Sequence, residues 1–222
     1  MRMAIVSSLL ISREAQPFIQ ADWRGCSGCL RIASAASGST PTLGRTVPTV
    51  LAHPAVPLAL AALVGTSRVS GPLLVAGVVA SVLPDADVLA FRVGVAYTSQ
   101  FGHRGFTHSL AFAFLLAAMA WSYASALRAS RSLAFWYVGL SCASHGLLDM
   151  LTNGGHGVAY LWPFTGERFF FPAQVIEAST LNLRRFFGPA GLAVLTSELL
   201  WVWVPAMFIG VVGVVAHRKR AA

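Results

Sequence analysis

Residues 133–151 read LAFWYVGLSCASHGLLDML, an apolar run long enough for a helix, with most of its polar groups towards the C-terminal end. His145 and Asp149 are four residues apart, so a helix places both side chains on one face, a turn apart. An imidazole nitrogen and a carboxylate oxygen in that arrangement can hold a metal ion. A buried His–Asp hydrogen bond that only joins helices is the alternative, and this pair alone does not decide between them.

The rest of the chain is also strongly apolar. Of its 222 residues, 56% are hydrophobic and 11% are charged, whereas a typical soluble domain has roughly 25% charged residues. The mean hydropathy of +0.67 predicts a membrane protein. The net charge is +8. Because the arginines are scattered through loops without interleaved aromatic residues, we expect lipid headgroups rather than nucleic acid as their partner.

The apolar segments predict an all-α, membrane-embedded bundle of about five helices. Residues 54–64 and 72–83 are each too short to cross ~30 Å of hydrocarbon at ~1.5 Å per residue, so we expect a short helical hairpin. Residues 110–127 are long enough to span, with Thr107 as the expected N-cap. Residues 191–216 form the longest apolar run and precede a basic tail, which makes them the clearest transmembrane segment.

Composition divides the chain into three regions. For residues 1–46, which include a stretch rich in Ser, Thr and Gly, we expect a disordered or mis-annotated tail, with Val47 as the hypothetical start. Mass spectrometry of the native N-terminus tests this, and a peptide from upstream of Val47 would contradict it. Residues 47–188 are predicted to form a helical domain with a metal site. Residues 189–222 are predicted to form the C-terminal transmembrane helix and basic tail.

The chain has only four aspartates, and two of them follow Pro84 in the sequence Pro-Asp-Ala-Asp. We expect the helix to end there and the chain to continue as a loop, so that the Asp85 and Asp87 carboxylates can both turn inward. Carboxylates two residues apart at such a turn suit a hard metal ion. The alternative is a pair of solvated loop acids, which the apolar surroundings make less favourable.

Three further histidines belong to the same pattern. His103 and His108 flank a turn that contains glycine, and neutral imidazoles are the commonest metal ligands in proteins. His53 begins the hairpin whose other end carries Asp85. If each helix reverses direction at its loop, all these groups meet at one end of the bundle and the basic loops lie at the other. The predicted metal ligands are therefore His53, Asp85, Asp87, His103, His108, His145 and Asp149.

Other residues near these ligands are expected to support them. Arg104 lies between two predicted ligands, and we predict that it acts in catalysis by neutralising an anionic substrate through paired hydrogen bonds. An anchor for lipid headgroups is its alternative role. Thr107, Ser109 and Thr152 are predicted to orient the ligands through hydrogen bonds.

Three motifs resemble the YdjM/YbcI-like family: VLPDAD at residues 82–87, FGHRGFTHSL at 101–110 and SHGLLDMLT at 144–152. The resemblance runs from about residue 47 to about residue 172. It implies a multi-pass protein of the bacterial inner (cytoplasmic) membrane. Members of this family are described as metal-dependent hydrolases, and some are described as LexA-binding. A LexA-like regulator is thus an implied partner. More loosely, the resemblance implies a fold similar to zinc phospholipase C.

These observations predict a membrane-bound, metal-dependent hydrolase acting on a phosphoester or lipid-like substrate. The cofactor is expected to be a divalent metal, Zn²⁺ or alternatively Mn²⁺, which would lower the pKa of a bound water towards ~7. One alternative is a non-enzymatic membrane protein with a structural metal site that binds a regulator. Another is a metal or proton transporter, whose polar groups would follow a path across the bilayer rather than gather at one end.

Overall fold

The computed structural model describes residues 46–47, 50–180 and 188–221. This part of the chain forms an all-α bundle, as predicted. Its helices are α1 (Ala55–Val64), α2 (Gly71–Val82), α3 (Leu110–Ser122), α4 (Arg131–Met150), α5 (Pro189–Glu198) and α6 (Val204–Ala221). One π-helical turn, Leu199–Trp203, joins α5 and α6 into a single rod, so the bundle has five helical rods in the described residues.

A two-residue strand pair accompanies the helices. Strand β1 (Thr46–Val47) pairs antiparallel with β2 (Ser179–Thr180). The tail predicted for residues 1–46 lies outside the described residues except for Thr46, which belongs to β1.

Helix α4 packs against α1, α2 and α3, while α6 packs against α1. Small residues allow the helices to approach closely, as is common in membrane proteins. A Cβ atom at Gly77 of α2 would lie 2.4 Å from Tyr137 Cε1 of α4. A Cβ atom at Gly213 of α6 would lie 2.6 Å from the carbonyl oxygen of Ala62 in α1. The Tyr137 hydroxyl donates to the carbonyl of Pro57 at 2.8 Å, which joins α4 to α1.

The end of α2 differs from the prediction, because the chain does not leave the helix after Pro84. It continues as a 3₁₀ helix, Leu83–Val93, that ends at Gly94 with a φ of 83°. Proline cannot donate the hydrogen bond of an α-helix, but its fixed φ suits a new helical turn. The segment from Gly71 to Val93 therefore has 23 residues. Our expectation that residues 72–83 belong to a segment too short to span was wrong.

Helix α3 is also different from the prediction. It contains 13 residues and ends at Ser122, so at ~1.5 Å per residue it extends only ~20 Å. Our expectation that residues 110–127 could span the membrane was therefore wrong. The N-cap is Ser109, whose hydroxyl accepts a hydrogen bond from the Phe112 N–H at 3.2 Å. Thr107, the predicted cap, lies within the preceding 3₁₀ turn, Phe106–His108.

In the described part of the chain, two helical rods are long and apolar enough to cross a membrane, Gly71–Val93 and Pro189–Arg220. The second contains the predicted transmembrane segment. The outer surface of the bundle is apolar, with large exposed side chains that include Val75 of α2, Phe114 of α3 and Phe208 of α6. Such a surface is compatible with contact to lipid.

The reversal of direction at each loop gives the bundle two distinct ends. One end holds the start of α1, the 3₁₀ helix after α2, the start of α3 and the end of α4. The other end holds the α1–α2 and α3–α4 connections and the basic C-terminus of α6. His217 near that terminus lies 3.0 Å (Nε2) from the carbonyl oxygen of Leu63 at the end of α1.

Candidate metal centre

Four side chains from three elements converge at the first end of the bundle. Asp85, His108, His145 and Asp149, hereafter the four-residue cluster, each place one ligand atom within 4.8 Å of the others. His108 Nε2 lies 3.1 Å from His145 Nε2 and 3.3 Å from Asp149 Oδ2, while His145 Nε2 lies 3.5 Å from Asp85 Oδ1. All four residues are buried, and the spacing of His145 and Asp149 along α4 places both in the cluster, as predicted.

The hydrogen bond that His145 makes to the backbone decides its tautomer. Its Nδ1 lies 2.7 Å from the carbonyl oxygen of Ser81, and because a carbonyl only accepts, Nδ1 carries the proton. The neutral ring therefore directs the lone pair of Nε2 into the cluster. Pro84 lacks the N–H that a 3₁₀ turn would donate to the Ser81 carbonyl.

The orientation of His108 is fixed through Thr107 and Asp87. The Thr107 hydroxyl lies 2.6 Å from Asp87 Oδ2, to which it donates, and 3.0 Å from His108 Nδ1. Since the single hydroxyl proton points to the carboxylate, the threonine oxygen accepts from His108 Nδ1–H. When Nε2 of His108 carries no proton, its lone pair consequently also points into the cluster. Two lone pairs 3.1 Å apart between two carboxylates form a donor set that fits a cation.

His53 lies against this cluster. Its ring stacks on His145 with the centroids 3.8 Å apart. Its Nε2 is 3.9 Å from Asp85 Oδ2 and 3.8 Å from Asp149 Oδ1. Neither ring nitrogen has a hydrogen-bond partner among the residues that the structure describes. Burial, with help from neighbouring His145, lowers the pKa of His53 to about 3, so the ring is neutral at physiological pH and can bind a metal ion.

The charges of the site also fit a cation. The buried carboxylates of Asp85, Asp87 and Asp149 face one fully buried guanidinium, Arg104. Together the three carboxylates and Arg104 carry two net negative charges, which is the amount that one divalent ion neutralises. Burial lowers the pKa of His108, but hydrogen bonds with Asp149, Asp85 and Asp87 outweigh burial and raise it. A proton and a metal ion therefore compete for Nε2, so metal affinity should fall at low pH.

Asp87 and His103 form a second group beside the first one. His103 Nδ1 lies 2.6 Å from Asp87 Oδ1, and His108 Nδ1 lies 3.3 Å from Asp87 Oδ2. Asp87, His103 and His108 also each place one ligand atom within 4.8 Å of the others, so this group could hold a metal ion as well. The seven predicted ligands thus lie in two neighbouring groups that share His108, with His53 at the edge of the first.

Arg104 is directed at protein groups. Its Nε lies 3.0 Å from Asp149 Oδ2, Nη1 donates to the carbonyl of Gly154 at 2.5 Å, and Nη2 donates to Thr152 Oγ1 at 3.0 Å. Its backbone has a φ of 61°, a left-handed conformation that is uncommon for arginine. These contacts orient Asp149, and the predicted role of Arg104 towards a substrate stays a prediction.

The three predicted supporting hydroxyls lie in different places. Thr107 contacts Asp87 and His108, as described above. Thr152 accepts from Arg104 and donates to the carbonyl of Asp149 at 2.8 Å. Among the described residues, Ser109 makes no hydrogen bond to a predicted ligand side chain; its hydroxyl caps α3 and donates to the carbonyl of Phe106.

Two residues near the site lie outside the predicted ligand set. The sequence analysis missed Tyr97, whose ring packs edge-on against His103 with the centroids 5.2 Å apart. Arg168, considered from the sequence as a second group beside Arg104 that neutralises an anionic substrate, donates to the carbonyls of His103, Tyr97 and Ser99 at 2.9–3.2 Å. It therefore holds the loop that carries His103. Neither residue has a spacing that relates it to the histidines, so only the folded loops bring them together.

The chain is similar to known proteins of the bacterial inner membrane. The model of a family described as YdjM inner membrane protein matches residues 49–220. Inner membrane protein YbcI of Escherichia coli (strain K12) is 44% identical over 180 residues, which cover 78% of this chain and 100% of that protein. No solved structure matches the chain, so the predicted likeness to zinc phospholipase C is not shown.

The four-residue cluster predicts that the purified full-length protein binds a divalent metal ion. Replacing His145→Ala removes a ligand, so we expect a loss of Zn²⁺ affinity larger than the about 10–100-fold caused by loss of a supporting hydrogen bond. Competition with a chromogenic chelator measures the affinity. His156→Ala removes a histidine from a neighbouring loop outside the cluster and should leave the affinity unchanged. Equal losses in both variants would contradict the assignment.

A second prediction separates the two hydroxyls at residues 107 and 109. Thr107→Val removes the acceptor of His108 Nδ1–H, so we expect about 10–100-fold weaker metal binding. Ser109→Ala removes the cap of α3, so we expect a decrease of about 1 kcal/mol in the free energy of unfolding with unchanged metal affinity. The same metal titration and a thermal unfolding curve measure both quantities. Unaltered affinity in Thr107→Val would show that this hydrogen bond does not orient His108.

Proposed function

Because this chain belongs to the YdjM inner membrane protein family, we propose that it is a membrane-bound hydrolase that depends on a divalent metal ion. The observation that carries the proposal is the four-residue cluster, in which two imidazole Nε2 atoms and two carboxylates meet. Among the described residues, Arg104 is the one arginine that forms an ion pair with a member of the cluster, Asp149. Zinc is the proposed ion because mixed imidazole and carboxylate sites suit it. Asp85, His108, His145 and Asp149 would hold it.

A bound divalent ion supplies Lewis acidity and a water of lowered pKa. The protein residues around it have separate tasks. Arg104 and Thr152 hold Asp149, and Thr107 and Ser81 orient the two imidazoles. His53 and His103 each have an unpartnered, buried ring nitrogen that can accept a proton or bind a second ion.

We propose a phosphoester, carried by a lipid-like molecule, as the substrate. Arg104 and Arg168 bring two positive charges close to the site, and their field favours an anionic substrate. Large apolar side chains are exposed on the loops at the same end: Phe101 is 63% exposed and Phe164 is 94% exposed. Exposed apolar groups beside a charged site suit an amphipathic molecule.

One observation favours a second candidate function, a structural metal centre. Four protein ligands complete a tetrahedral zinc site. Sites closed in this way are usually structural, whereas catalytic zinc sites keep one coordination position for water. The near-complete burial of the cluster favours a closed site. In that case the protein would act as a membrane scaffold, and a LexA-like regulator would be the partner implied by family resemblance.

Hydrolysis assays distinguish these two functions. We expect the purified protein to hydrolyse a chromogenic phosphodiester or a phospholipid, to lose activity with a chelator and to regain it with Zn²⁺. Asp149→Ala should lower kcat/KM by more than about 100-fold, since metal ions contribute several kcal/mol to such reactions. His156→Ala should retain the activity. Bound metal without turnover of any substrate would instead support the structural centre.

We also propose that the chain crosses the membrane more than once, with the basic end in the cytoplasm. The apolar outer faces of α2, α3 and α6 support this arrangement. In full-length chains without other cysteines, Glu167→Cys should react with an impermeant maleimide in spheroplasts. Ser67→Cys, at the basic end, should react only after the membrane is permeabilised. Labelling of both positions, or the reverse pattern, would contradict the proposed topology.

A further inference from the structure

At the end of the bundle opposite the metal centre, the α1–α2 and α3–α4 connections line a cavity of about 610 Å³ that is open to solvent. Arg68 from the first connection and Arg128 from the second both line it, together with Ser125 and Ser130. The two arginines are 60 residues apart in the sequence, so the fold itself brings them to one cavity.

Local interactions define the walls of this cavity. The Ser70 hydroxyl at the start of α2 donates to the carbonyl of Leu127 at 2.5 Å, which joins the two connections. Arg128 has a left-handed backbone with a φ of 51°. That conformation is uncommon for arginine and reverses the chain between α3 and α4. Ser130 then caps α4, with its hydroxyl accepting from the Leu133 N–H at 3.3 Å.

The charge of the cavity is positive and uncompensated. No carboxylate lines it, and within the described residues neither Arg68 nor Arg128 makes one of the ion pairs, which involve only Arg104 and histidines. The contact between His217 and Leu63 brings the basic segment 218–220 to the same end of the bundle. Arginines without an acidic partner keep all their donors available for an external anion.

We propose that this cavity binds a phosphate group, either on an anionic phospholipid or as the free ion. Guanidinium forks match the oxygens of phosphate in charge and geometry. The hydroxyls of Ser125 and Ser130 add donors, and the first turn of the 20-residue helix α4 adds a favourable dipole. The position at one end of an apolar bundle is where lipid headgroups lie. This site is separate from the metal centre and does not depend on the proposed hydrolase activity.

Binding to the full-length protein in detergent tests the proposal. Native mass spectrometry compares the binding of phosphatidylglycerol with that of phosphatidylcholine of the same acyl chains. To test the free ion, the unfolding temperature is measured in inorganic phosphate and in chloride at equal ionic strength. The double variant Arg68→Gln/Arg128→Asn removes both cavity charges, and Asn tolerates the left-handed backbone at position 128. Lys219→Gln/Arg220→Gln removes the same charge at the same end but outside the cavity lining.

We expect the unchanged protein to bind phosphatidylglycerol more tightly than phosphatidylcholine. The Arg68→Gln/Arg128→Asn variant should bind phosphatidylglycerol at least about tenfold more weakly, since each arginine near an anionic headgroup contributes to the binding affinity. The tail variant should change it by about threefold at most, because salt screens the more distant charges. If inorganic phosphate stabilises the unchanged protein but not the cavity variant, the free ion is the ligand; if only the phospholipid binds, the headgroup is.

Two results would overturn the proposal. One is an equal loss of binding in the cavity and tail variants, which would show a general effect of positive charge. The other is failure of the unchanged protein to bind either phosphatidylglycerol or inorganic phosphate. Zinc binding by the distant metal centre and the circular dichroism spectrum establish that each double variant is folded, so a loss of phosphate binding can be assigned to the cavity.

Discussion

Buried negative charge at one end of an apolar bundle is the constraint on which the rest of this structure depends. Among the described residues, Asp85, Asp87 and Asp149 lie together with one fully buried cation, Arg104. Each uncompensated buried charge costs several kcal/mol. Much of the local structure serves to compensate them: Arg104 adopts a left-handed backbone and contacts Asp149, while Thr107, His103 and the Arg104 N–H donate to Asp87. A divalent ion would complete the compensation.

The two aspartates of the Pro-Asp-Ala-Asp motif divide the site into its two groups. In a 3₁₀ helix successive residues are rotated by about 120°, so carboxylates two residues apart point in different directions. Asp85 accordingly joins His108 and His145, while Asp87 joins His103 and Thr107. His108 lies between the groups, with Nε2 towards one and Nδ1 towards the other. The change from α to 3₁₀ geometry at Pro84 thus determines which residues can share an ion.

The sequence alone was sufficient for the helical bundle, the convergence of the polar groups at one end and the pairing of His145 with Asp149. These features follow from hydrophobic length and from the four-residue spacing on a helix. The continuation of α2 past Pro84 and the early end of α3 at Ser122 were not predicted, because no local residue type determines either. Contacts between loops, such as those of Arg168 with the His103 segment, depend on tertiary folding that spacing does not encode.

The central claim is that two imidazoles and the carboxylates of the four-residue cluster bind one metal ion. X-ray absorption spectroscopy at the zinc edge of the purified, metal-loaded protein tests it most directly. The structure predicts nitrogen and oxygen ligands at about 2.0–2.2 Å, with the multiple-scattering pattern of two imidazoles that falls when His145 is replaced by alanine. Sulfur ligands at about 2.3 Å, or a spectrum that His145→Ala leaves unchanged, would contradict it.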